Sequence, residues 1–149
     1  MRPCFTSAVL LLLLIPAGRC GEEFGWKPAL PGWRYEFPRD QYAHPDFKTE
    51  WWYFTGNLEA EDGRRFGFQL TFFRQGVRRG GAVQTRFAVD DIKLAHFAVT
   101  DITDGKFRHA QKVSRGTFGE AGFSNGNRIA WIEDWELEST GEGKFRIAA

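Results

Sequence analysis

The stretch HPDFKTEWWYFTGNLEAEDGRRFGFQLTFFRQ (His44–Gln75) carries two aromatic runs separated by a short acidic, glycine-containing gap. From Thr49 its pattern has a period of two: Trp51, Tyr53 and Thr55 share one side, Trp52 and Phe54 the other. The second run is cleaner, with Phe66, Phe68, Leu70 and Phe72 on one face and Gly67, Gln69, Thr71 and Phe73 on the opposite one. A helix would scatter these rings around its axis, whereas a strand sends alternate side chains to opposite faces. Glu61-Asp62-Gly63 between the runs is a hairpin signal. The stretch predicts paired antiparallel strands, with Phe66, Phe68, Leu70 and Phe72 facing inward.

The same period continues downstream. Lys93–Asp101 (KLAHFAVTD) alternates, Asp104-Gly105 makes a second tight turn, and Phe107–Val113 follows. Gly119, Gly122, Asn125, Gly126 and Asn127 then break the pattern. Ile129–Leu137 (IAWIEDWEL) reads as one strand with Ile129, Trp131, Glu133, Trp135 and Leu137 on one face, and Gly141-Glu142-Gly143 turns the chain into Lys144–Ala148. No segment of this body has an apolar period of 3.6. The expected fold is all-β, an antiparallel meander curling into a partial barrel. It has about six strands where a closed barrel with room for a ligand needs about eight. Six would leave two unpaired edges, so the chain reads as the N-terminal part of something larger.

Upstream, residues 21–45 are rich in Gly, Pro and Trp. Pro28, Pro31 and Pro38 exclude a regular helix, which leaves an extended aromatic lead-in that pins Trp26, Trp33 and Tyr35 onto the body at 46–149. Residues 1–20 have the layout of a secretory signal peptide: Met1-Arg2, an apolar run at Ala8–Ile15, then Pro16-Ala17-Gly18. Export to the periplasm or the medium is expected, with cleavage near Cys20–Gly21. Arg19 stands where lipid attachment at Cys20 wants a small residue, which argues against a lipoprotein anchor. Cys4 leaves with the signal peptide, so at most one thiol remains and no internal disulfide can form.

The 149 residues suffice for one domain with a real core. A formal net charge of +1 offers no basic footprint for nucleic acid. The compositional oddity is 16% aromatic residues, with 15 Phe and 6 Trp. These could fill a core, line an apolar pocket or surround a reacting atom. A phosphate loop and a dinucleotide fingerprint are both missing, so no cofactor is implied. His44, His96 and His109 are too scattered for a metal motif.

HPDFKTEWWYFTGNL, FGFQLTFFR, LAHFAVTD and WIEDWEL, in that order, resemble the lipocalin-like family of carotenoid 1,2-hydratases and AttH-type predicted secreted hydrolases. The resemblance runs from about His44 to the C-terminus. It implies a lipocalin-like fold, the first of two such halves, and an apolar ligand of isoprenoid or lipid character. TEWWYFTGNL looks like the secreted branch rather than the phototrophic hydratases.

Hydrating an isolated double bond needs an acid to protonate carbon, a shelter for the carbocation and a base to position water. Aromatic faces stabilise a cation without attacking it. On that reading Trp51, Tyr53, Phe72 and Trp131 provide the lining, and Glu50, His96 and Asp134 the proton chemistry. The plain alternatives are also open: Glu50 pairs with Arg74 or Arg115, His96 is a satisfied core group, Asp134 is solvated, and His44 caps the first strand. The chain is then either a carrier of a hydrophobic small molecule or lipid, or a cofactor-free acid–base enzyme acting on one. Sugar binding on exposed tryptophans is a third option. Convergence of Glu50 and His96 on one cavity would favour the enzyme. The Trp51/Tyr53 side is expected to face that cavity, and Trp52 to pack on the lead-in.

Overall fold

The computed structural model describes residues 25–79, 85 and 87–149. The signal segment and Cys20 lie outside these residues. Eight strands follow in order: β1 (Thr49–Glu59), β2 (Arg65–Gly76), β3 (Asp91–Asp101), β4 (Lys106–Ser114), β5 (Ala121–Phe123), β6 (Arg128–Ile132), β7 (Trp135–Gly141) and β8 (Lys144–Ala148). They form two four-stranded antiparallel meanders, β1-β2-β3-β4 and β5-β6-β7-β8. The fold is all-β, with one short 3₁₀ turn at Arg39–Gln41, and the two sheets do not close into a barrel.

The expected turns are where the sequence places them. Gly63, Gly105 and Gly143 adopt φ of 81°, 65° and 64°, a left-handed conformation that glycine enters without the Cβ penalty. The strand count differs from expectation, for two reasons. Ile129–Leu137 is not one strand but a hairpin, reversed at Glu133-Asp134, with Glu133 held at φ 55°. The glycine-rich stretch before it also contributes the three-residue β5.

That reversal changes which residues are buried. Ile132, Trp135 and Leu137 point into the core, while Glu133 and Asp134 cap the turn and Trp131 looks outward. An irregularity in the β6–β7 pairing between Arg128 and Ala130 lets the neighbours Ile129 and Ala130 both be buried, which regular alternation would forbid.

The second sheet lies over the inner face of the first. Leu70, Phe72 and Ala95 meet Ala121, Ile129, Ile132, Trp135 and Leu137 in one core. Ring pairs tie the layers together: Trp52 stacks on Phe123 at 4.9 Å, and Phe54 and Phe97 meet Phe145 and Trp135 edge-on at 6.0 and 6.1 Å. Such contacts add about 0.5–1.5 kcal/mol each beyond area burial. Leu70 and Phe72 face inward and are fully buried; Phe66 and Phe68 share their face but stay half-buried, beyond the reach of the second sheet.

The facing of β1 is the reverse of the sequence expectation. Glu50, Trp52 and Phe54 point inward, opposite Arg74, Phe72 and Leu70, while Trp51 and Tyr53 point outward and are 62% and 51% exposed. The lead-in is docked at one end of this sheet. Trp26 is buried over Gly76, Lys27 N–H donates to Asp46 O at 2.8 Å, and Gly76 N–H donates to Lys48 O at 2.6 Å. Trp33 and Tyr35 remain largely exposed.

Candidate functional site

Where the lead-in crosses the start of β1, four polar side chains converge. Antiparallel register places Glu50 directly opposite Arg74, and both point to the inner face. Pro45 and the turn after it carry His44 back over this pair, and the 3₁₀ turn brings Asp40 to the far side of the imidazole. The result is a chain of contacts. Asp40 Oδ1 is 3.0 Å from His44 Nε2, His44 Nδ1 is 2.6 Å from Glu50 Oε1, and Arg74 Nε donates to Glu50 Oε2 at 3.0 Å.

The surroundings complete it. His44 N–H donates to both Glu50 oxygens at 2.8 Å, and Arg74 Nη2 donates to the carbonyls of His44, at 2.9 Å, and of Phe47. Arg74 is buried, so each donor used there avoids the large cost of an unmet charge. Asp40 is held well below the usual carboxylate range, first by the Arg39 guanidinium, then by Glu36 N–H and His44, against the opposing effect of burial. It presents a standing negative charge to His44 Nε2. Both contacts of the ring are hydrogen bonds at once only when both its nitrogens carry hydrogen.

Beside this chain lies an open cleft of about 360 Å³. Trp33, Tyr35, Tyr42, Phe47, Trp51 and Trp52 supply its apolar walls, and Asp40, His44 and Glu50 its polar end. Its shape depends on the lead-in: Trp33 packs edge-on against His44 and Phe47 at 5.8 and 5.7 Å, and Trp52 Nε1–H donates to Gln41 O at 2.9 Å.

Of the residues singled out from sequence, Glu50 and Trp51 reach this cleft. Tyr53 shares the outer face with Trp51 but does not line it. Phe72 is core, 1% exposed. Trp131 sits on the outer face of the second sheet, its ring over Gly122, its N–H donating to Gly119 O at 2.9 Å and Arg128 lying 4.8 Å above it. His96 is on the outer face of β3, 5.1 Å from Phe73, on the side of the sheet away from Glu50. Asp134 is in the β6–β7 turn, 81% exposed and paired with Lys112. Glu50, His96 and Asp134 therefore do not converge. Glu50 meets His44 instead, read from sequence only as a cap of the first strand, and through it Asp40, which sequence reasoning did not single out. Their signal was a compact one: an acid, a histidine four residues on, and a second acid six further.

Comparison with known proteins agrees with this architecture. The family model described as AttH-like matches residues 28–149. A crystal structure of an AttH-type protein from Nitrosomonas europaea superposes with a TM-score of 0.64 at 38% identity. The match covers 81% of this chain and 35% of that one, so the chain spans about a third of its solved relative. The curated proteins offer no match.

Proposed function

Because the chain belongs to the AttH-like family, we propose that it serves as a lipocalin-like module of a larger exported protein and holds an apolar, isoprenoid- or lipid-like ligand against the aromatic cleft. The observation that carries this reading is the cleft itself, six rings gathered from the lead-in, the turn after it and β1 around one polar end. The polar chain supports binding over catalysis. Acid–base chemistry needs a group free to exchange a proton with substrate. Here both His44 nitrogens face protein carboxylates, and both Glu50 oxygens accept hydrogen bonds from His44 or Arg74. The network closes on itself and clamps the lead-in, which keeps the cleft in shape for a ligand. Export and a second lipocalin-like half belong to the same proposal.

Tryptophan fluorescence of the protein titrated with a panel of isoprenoids and fatty acids tests it. Saturable quenching is expected, weakened by Trp51→Ala and by Trp33→Ala. No quenching by any member, or quenching indifferent to both substitutions, would remove the cleft from consideration. The hydratase-like alternative rests on the 2.6 Å His44–Glu50 contact. Loss of product with retained binding in Glu50→Gln would favour it.

A further inference from the structure

The inner face of the first sheet is only partly roofed. The second sheet covers Phe72 and Leu70, and further along the strands Phe68 and Phe66 remain half-buried. Leu58 at that end is 56% exposed. Register aligns Phe68 with Val99 and Val99 with Arg108, then Phe66 with Asp101 and Asp101 with Lys106. The space above them is a pocket of about 320 Å³, floored by Phe66 and Val99 and rimmed by Arg64, Lys106, Arg108, Asp101 and Asp104. It lies at the opposite end of β1 from the aromatic cleft and shares no lining residue with it.

The rim is not electrically neutral: three cations stand against two carboxylates. Arg64 is occupied, bound to Asp62 at 2.8 Å with its guanidinium 5.6 Å above the Phe66 ring. Lys106 is occupied by Asp104 at 2.9 Å. The Arg108 guanidinium has no hydrogen-bond or ion-pair partner among the described residues. It projects from the inner face of β4 next to an apolar floor.

We propose that this end of the sheet binds an amphiphilic monocarboxylate, with its carboxylate on Arg108 and its hydrocarbon body over Phe66 and Val99. A planar guanidinium pairs a carboxylate through two parallel hydrogen bonds, which sets the head group. The two acids on the rim repel a dianion, which disfavours a phosphate monoester. The floor offers a neutral polar head nothing in exchange for its hydration, so an alcohol of the same chain length is the weaker ligand.

Isothermal titration of the chain with dodecanoate and with dodecanol, each below its aggregation limit, is the test. Dodecanoate should bind at least tenfold more tightly than dodecanol, lose about tenfold in Arg108→Gln, and shift the Val99 methyl resonances on binding. Arg108 is exposed, so this substitution leaves folding intact. Equal affinity for acid and alcohol would overturn the proposal, as would dodecanoate binding unchanged in Arg108→Gln. Trp33→Ala separates the two sites: it should weaken ligands of the aromatic cleft and leave the Arg108-dependent part of dodecanoate binding untouched. Dodecanoate binding lost in Trp33→Ala but kept in Arg108→Gln would assign the acid to the cleft and sink this site alone.

Discussion

The pair Glu50–Arg74 should be energetically coupled, and a double-mutant cycle with Glu50→Gln and Arg74→Met measures how strongly. Arg74 is 3% exposed and spends its donors on the Glu50 carboxylate and the carbonyls of His44 and Phe47. Removing one partner of a buried pair costs about 3–5 kcal/mol. The Glu50 side chain is 15% exposed, which places this pair at the low end. Arg74→Met, which also strips two carbonyls of their donor, should cost about 3 kcal/mol. Glu50→Gln keeps an acceptor for Arg74 and should cost about 2 kcal/mol.

The double variant should lose about 3 kcal/mol rather than the sum, because neither charge is then left unpaired. The coupling is therefore about 2 kcal/mol. At roughly 3 °C per kcal/mol for a chain of this size, Arg74→Met should lower Tm by about 10 °C. Urea melts followed by far-UV circular dichroism supply the four stabilities, and limited proteolysis reports the lead-in, which Arg74→Met should expose to cleavage before residue 48. A coupling under about 0.5 kcal/mol with an uncut lead-in would refute the view that this pair clamps the lead-in to the sheet.

Two further tests address other parts of the fold. In Gly76→Ala the new Cβ would stand 2.5 Å from the Trp26 indole and 3.1 Å from Lys48 O, so the ring must leave its seat. A cost of about 1–3 kcal/mol and a displaced Trp26 resonance in 5-fluorotryptophan NMR are expected, and an unmoved resonance would show that the seat is roomier than the structure indicates. Glu120 is lowered from 4.5 to about 2, chiefly by the Ser114 hydroxyl and then by the Phe118 N–H. Its folded value lies below its unfolded one, so its stabilisation is complete above 4.5 and fades as the pH falls towards 2. The stability difference between the native chain and Glu120→Gln should shrink across that window; a difference that stays constant with pH contradicts the assignment.

What could be read from the residues alone was whatever depends on near neighbours. Period-two alternation along Phe66–Phe72 identifies a strand, and Asp62-Gly63 and Asp104-Gly105 identify its reversals, because φ preferences and side-chain direction are local properties. The paired β1 and β2 follow from the first of these turns, and with them Glu50 opposite Arg74. Local pattern does not say which face of a strand is inside when both faces are apolar. Trp51 and Tyr53 are as hydrophobic as Trp52 and Phe54, and only the arrival of the second sheet over Phe72 and Leu70 buries one set and leaves the other in water. The same holds for IAWIEDWEL, whose alternation continues unbroken through Glu133-Asp134. A left-handed glutamate is a locally unfavourable turn residue, and the core gained by folding Ile132 and Trp135 onto the sheet outweighs its cost of about 1–2 kcal/mol. The polar chain from Asp40 to Arg74 spans 34 positions and exists only because the lead-in folds back onto β1 and β2, a contact between segments whose own sequences carry no mark of each other.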